Sequence, residues 1–168
     1  MRLQVEVRRA RLADVDAVVA LERATEHAPH WTHATYTEIA RASEQHEGNS
    51  ANEAVRRCIF VAERVDENAD KAERRIVGYA VGAVSEPAEL ESVVVAAGVR
   101  RAGIGRALCE GVIAWGRAQG AAEMLLEVRA ASVGAIALYA GMGFQEVARR
   151  PRYYRDPEDD AVVMRLGL

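Results

Sequence analysis

Residues 90–106 read Leu-Glu-Ser-Val-Val-Val-Ala-Ala-Gly-Val-Arg-Arg-Ala-Gly-Ile-Gly-Arg, and the change of pattern inside them decides the fold. Val93, Val94 and Val95 are three consecutive β-branched residues, which favour a pleated, buried strand. Past a short turn, Ile104, Leu108, Val112 and Trp115 recur at the spacing of one helical face. The segment Arg100-Arg101-Ala102-Gly103-Ile104-Gly105-Arg106 therefore lies where a strand gives way to a helix. At such a junction the first main-chain N–H groups of the helix lack intrahelical acceptors and the helix dipole is positive. Residues without a Cβ also let an anion come close. Arg100, Arg101 and Arg106 add positive charge, and the pattern predicts a cradle for a pyrophosphate.

The spacing narrows which pyrophosphate. A nucleoside-triphosphate loop ends in Gly-Lys-Ser or Gly-Lys-Thr, whereas Gly105 is followed by Arg106-Ala107. A dinucleotide fingerprint needs a third glycine where Leu108 stands, and too little chain follows residue 130 for a second parallel half, although Glu127 mimics its acidic residue. What remains, Arg100-x-x-Gly103-x-Gly105, resembles the signature with which the GNAT superfamily of N-acetyltransferases holds acetyl-coenzyme A. That resemblance implies acetyl-CoA as co-substrate, no metal, and transfer of the acetyl group to a primary amine.

Composition fits a single domain over residues 1–168, with half its residues apolar and 28% charged. A net charge of −3 gives no reason to expect nucleic-acid binding. No apolar run approaches a membrane span, and the first nine residues hold no signal-peptide core. Cys58 and Cys109 have neither metal nor redox spacing, so they are expected to be packing residues in a cytoplasmic protein, monomeric or homodimeric. A second arginine cluster, at 149, 150, 152 and 155, reads equally as a solvated face or a working surface.

Along the chain, Gln4 to Ala10 alternates as a strand and Asp14 to Glu22 has helical spacing. Pro29 breaks the periodicity, and Thr32 is placed to cap a helix running to about Ser43. His27, His30 and His33 surround that proline without metal-ligand spacing. Glu44 to Ala54 is polar. Strands from Cys58 and from Ile76 are joined by a charged hairpin loop at Asp66–Glu73, and residues 122–129 alternate with one apolar face. Ser132 is placed to cap a short helix carrying Ile136, Leu138 and Tyr139. Phe144–Arg150 and Ala161–Leu166 read as final strands flanking a loop. The order β-α-α-β-β-β-α-β-α-β-β matches the GNAT fold: α/β (α+β), a twisted, mixed, mostly antiparallel sheet of about seven strands flanked by four helices.

Acetyl transfer to an amine needs a neutral nucleophile, a polarised carbonyl and a proton for the departing thiolate. An α-amino group is neutral in about one molecule in eight at pH 7 and a lysine in about one in 2,500, an advantage of roughly 3 kcal/mol for the N-terminus. Glu127, on the mixed face of its strand, is the candidate base, although pairing with Arg129 would make it a plain surface carboxylate. Tyr139, twelve residues on, is a phenol suited to protonate a thiolate, or else a core aromatic. Main-chain N–H groups around Val94 and Val95 are candidates to polarise the carbonyl, provided that the strands flanking them splay.

Leu126-Glu127-Val128-Arg129-Ala130, Ala135-Ile136-Ala137-Leu138-Tyr139, Gly143-Phe144 and Arg150-x-x-Tyr153-Tyr154 are similar to the RimI subgroup, which acetylates the N-terminal alanine of a ribosomal protein. The resemblance implies Glu127 as base, Tyr139 as acid, and Val93, Val94, Val95, Arg101, Ala102, Gly103, Ile104, Gly105 and Arg106 as cofactor-binding residues, with the 26–35 loop walling the acceptor site around Trp31. Ser132 stands where the subgroup has asparagine against the cofactor. The expected acceptor is a protein N-terminus. Alternatives are a small-molecule amine, with Glu91 as base, or a non-catalytic acetyl-CoA sensor.

Overall fold

A computed structural model describes residues 4–45, 56–66 and 73–168. Most of the polar stretch after Glu44, the hairpin tip at 67–72 and the first three residues lie outside them. In chain order come β1 (Gln4–Arg9), α1 (Val15–Arg23), α2 (His33–Gln45), β2 (Arg56–Asp66), β3 (Glu73–Val84) and β4 (Ala88–Val95). They are followed by α3 (Ile104–Ala118), β5 (Glu123–Arg129), α4 (Val133–Ala140), β6 (Gln145–Arg155) and β7 (Glu158–Gly167). Among the described residues this is the element order that the sequence predicts.

The strands form one sheet in the order β1-β2-β3-β4-β5-β7-β6, antiparallel throughout except for β4 beside β5. Alternation along the strands sorts the apolar residues into two cores, one on each face. Ile104, Leu108 and Val112 of α3 and Tyr139 of α4 pack with Met124, Leu126 and Val162 on one side. Val15, Val18 and Val19 of α1 and Tyr36 and Ala40 of α2 pack with Ile59, Val61, Tyr79 and Val94 on the other. Gly82 of β3 lies under α3, where an added Cβ would collide with Val112 and come within 3.3 Å of the Trp115 ring.

One local feature departs from the sequence reading and one follows it. The final hairpin is longer than predicted, because pairing runs on through Tyr154–Asp159 and Arg155–Glu158 to a tight turn. Its ladder is interrupted between Glu146 and Ala148 and again between Arg150 and Tyr154, where Pro151 has no N–H to donate and Arg152 takes a left-handed φ of 50°. Thr32 does cap α2: its Oγ1 accepts the Thr35 N–H at 3.1 Å.

The start of α1 is fixed by charge. Arg8 donates to both oxygens of Asp14, at 2.7 and 3.0 Å, and to Glu63, which also accepts from Arg74. Burial of Asp14 works against its ionisation, but the Arg8 hydrogen bonds and the Arg11 N–H outweigh it and hold the carboxyl below its usual value. A depressed carboxyl stabilises the fold above the unfolded-state value and loses that contribution as the pH falls through the folded-state one. Urea titrations should therefore show stability declining below about pH 4, with a shallower acid-side decline in Asp14→Asn. Gly82→Ala should cost about 1–3 kcal/mol in the same assay, since the β-branched Val112 cannot swing aside.

Candidate active site

Only two residue pairs, Ala88–Met124 and Glu89–Leu125, join β4 to β5. Beyond them the two strands part, while β4 stays paired to β3 and β5 to β7. The register between β3 and β4 skips Glu91, so one extra residue sits on β4. This bulge reverses the alternation: Leu90 faces the α3 core, as do Val93 and Val95 after it, whereas Val94 faces the α1–α2 core. Ala96 N–H donates to Val77 O at 2.9 Å, so by alternation Val94 turns its main-chain groups to β3 and Val93 and Val95 turn theirs into the gap. The splay that the sequence reading required is present, and the available amides belong to Val93 and Val95 rather than to Val94.

The turn that follows presents a row of donors. The first main-chain bond of α3 runs from Ala107 N–H to Gly103 O, and among the described residues the N–H groups of Arg101 to Arg106 donate to no protein acceptor. Gly103 caps the helix with φ +80°, a left-handed conformation that a Cβ disfavours. Space is not its role, since an added Cβ would meet nothing within 4 Å. At Gly105 a Cβ would lie 3.4 Å from Leu138 of α4 and 3.8 Å from Val95, so the helix packs closely there without excluding a small side chain. Arg100 Nε donates to Val95 O at 3.2 Å and Arg106 to Gly141 O at 3.2 Å, so both side chains brace the turn. Arg101 has no polar partner among the described residues.

Glu127 points to the α1–α2 face, opposite Leu126 and Val128. Its Oε1 lies 2.8 Å from Arg150 Nη1 of β6, not against Arg129. Arg129 instead sits over the Tyr154 ring at 4.2 Å and donates to the carbonyls of Pro157 and Asp156. The Tyr153 phenol is pushed up by Glu127 beside it. Tyr139 approaches from the other face: its ring is buried and packs edge-on against Phe144 at 5.9 Å. Burial pushes its phenol up, with Cys109 and Tyr154 nearby adding to the effect. Its hydroxyl has no protein partner among the described residues, yet is not sealed from solvent. Ser132 occupies the N-cap position before α4 but makes no side-chain cap bond, so its hydroxyl is uncommitted among the described residues. Glu91 is clamped by Arg57 through two contacts of 2.9 Å, and the Arg57 guanidinium also lies 5.9 Å from the Trp31 ring.

A cleft of about 780 Å³ lies between the α1–α2 connection and the far end of the sheet. Residues 23–30 form one wall, and Arg129, Tyr154 and Asp156 the other. Buried Glu22 shapes the first wall by accepting the Trp31 N–H at 3.0 Å and the Tyr36 hydroxyl at 2.6 Å. Among the described residues no group of three or more His, Cys, Asp or Glu could hold a metal ion. His33 pairs with Asp16 at 2.8 Å. The sequence reading noted the arginine cluster that holds Arg150 and gave Arg150, Tyr153 and Tyr154 as an ending similar to a subgroup, but it did not connect Arg150 with Glu127.

The family model described as the Acetyltransferase (GNAT) family matches residues 19–144. This chain belongs to that family. The [ribosomal protein bS18]-alanine N-acetyltransferase of Escherichia coli strain K12 is 41% identical over 87 residues, covering 51% of this chain and 59% of that protein. The chain thus spans about three fifths of the length of the curated relatives it matches. The solved structure of the Escherichia coli ribosomal-protein-S18-alanine N-acetyltransferase superposes with TM-score 0.71 at 28% identity, covering 98% of this chain and 94% of the other. Ard1 from Thermoplasma volcanium does so with TM-score 0.71 at 25% identity, covering 98% and 97%. The GNAT match ends at Phe144, so β6 with Arg150, Tyr153 and Tyr154 lies beyond it. Within the match, Gly103→Ala should lower unfolding free energy by about 1–2 kcal/mol, the cost of a Cβ in the left-handed region, as measured by urea titration. An exposed Gly98→Ala control should change it by less than about 0.5 kcal/mol.

Proposed function

We propose that this protein transfers the acetyl group of acetyl-CoA to the α-amino group of a protein N-terminus, in the cytoplasm, with a ribosomal-protein alanine as the acceptor class suggested by its relatives. One observation carries the reading: the row of free N–H groups at Arg101–Arg106 beside the gap between β4 and β5. The row suits a diphosphate, and the gap suits an extended thioester arm. Val93 and Val95 N–H groups lie where a carbonyl oxygen would gain charge.

Acceptor and thioester would then meet from opposite faces of the sheet. Glu127 takes a proton from the acceptor's ammonium group and releases it to solvent. The neutral nitrogen bonds to the carbonyl carbon, the carbon–sulfur bond breaks, and Tyr139 protonates the thiolate. The Tyr139 phenolate recovers its proton from the new amide nitrogen, so one proton is released per turnover. Ser132, with its hydroxyl uncommitted, lies on the cofactor side of the gap as a further donor. Glu91 is a poor alternative base while Arg57 clamps it.

Calorimetry should show binding of coenzyme A, and no heat at millimolar ligand would reject the reading. Peptides beginning with alanine should be acetylated in preference to polyamines. Glu127→Gln and Tyr139→Phe should each lower kcat by about 10²–10⁴-fold, the usual range for acid–base groups, without weakening coenzyme A binding. Because burial favours the protonated phenol, Tyr139 keeps its proton at higher pH than a free tyrosine. Loss of kcat through its titration should therefore appear only above about pH 10, as read from a pH–rate profile.

A further inference from the structure

We propose that Arg150 is a placeholder for the acceptor's ammonium group, occupying the Glu127 carboxylate in the empty site and yielding it to the incoming protonated α-amine. The inference rests on Glu127 being the base, as proposed above. Arg150 Nη1 stands 2.8 Å from Glu127 Oε1, with the two side chains 55% and 31% exposed. A pair that open to water is weak and exchanges readily. Among the described residues Arg150 is otherwise in contact only with Tyr153, whose ring lies 5.5 Å away and whose phenol also meets the guanidinium.

The other charged groups nearby are committed elsewhere. Arg129 is held by Tyr154 and the carbonyls of Pro157 and Asp156, and Arg149 is paired with Glu146 at 2.7 Å. Across the ladder, Glu127 faces uncharged Val163 of β7. On β6, Tyr153 is the second polar group at the carboxylate, and its phenol is neutral at physiological pH. Arg150 is therefore the cation that meets Glu127.

The consequence is discrimination between substrate and product. An α-ammonium offers the carboxylate the same charge and N–H donors as the guanidinium, so it can replace Arg150. An acetylated N-terminus offers neither charge nor a comparable donor, so Arg150 returns to Glu127 and the product keeps no hold on the carboxylate.

The test is calorimetry on the full-length protein saturated with coenzyme A, which carries no acetyl group and permits no turnover. The titrants are a ten-residue peptide beginning with alanine and its N-acetylated form. Arg150→Gln should bind the free-amine peptide about two- to fivefold more tightly than wild type, the range of a part-exposed ion pair, with the acetylated peptide unchanged. Arg150→Lys should stay within about twofold of wild type, and adding Arg150→Gln to Glu127→Gln should change neither affinity. Weaker binding of the free-amine peptide by Arg150→Gln, or an equal shift for both peptides, would overturn the placeholder. If wild type acetylates the peptide while Arg150→Gln leaves both affinities unaltered, the placeholder falls and the acceptor reading stands. Wild type failing to acetylate it removes both.

Discussion

The molecule depends on a strand pair that is almost not made. β4 and β5 share two residue pairs and then separate, although main-chain polar groups in a sheet ordinarily find partners on both sides. The separation is sustained because each strand is held along its other edge, β4 by β3 and β5 by β7. Below the gap the α3 core spans both strands, with Leu90 and Leu126 in one cluster. The Glu91 bulge completes the arrangement by turning Val93 and Val95 toward the opening while keeping Val94 in the opposite core.

A sheet opened in this way has two chemically different faces at one place. On the α3–α4 face lie the amide row and Tyr139, inside an apolar cluster that keeps the phenol protonated. On the α1–α2 face lie Glu127, its arginine partner and the cleft walled by residues 23–30. Buried Glu22 ties that wall to the second core through Trp31 and Tyr36, and the Tyr36 hydroxyl lies 3.1 Å from that of Tyr79 on β3. The α1–α2 side thus has its own internal support, separate from the packing that holds the turn before α3.

Features set by local periodicity were legible in the sequence. Val93–Val95, the Ile104–Trp115 face and the alternation of residues 122–129 each announce their element, and all four residues of the α3 face are buried. Features set by pairing between distant segments were not. The bulge at Glu91 arises from register against β3, and nothing in Leu-Glu-Ser announces it. Arg150 reaches Glu127 only because β7 lies between β5 and β6, a relation that no sequence spacing encodes. Ser132 has the residue type of a cap, but its ψ of 58° is not extended and no cap bond forms. The last loop is shorter than the sequence reading makes it, because strand pairing resumes past Pro151: at an outer strand its absent N–H faces a break in the ladder rather than a partner.

The outermost position of β6 has a further meaning for how copies of this chain meet. An uncovered strand of this length invites another chain to zip onto it and extend the sheet. Here two irregularities, at Glu146–Ala148 and Arg150–Tyr154, spoil the flat template, and four arginines between 149 and 155 repel a like strand. The border beside Glu127 is thereby protected against self-templated aggregation, and Arg150, which pairs with that carboxylate, is one of the residues that protect it.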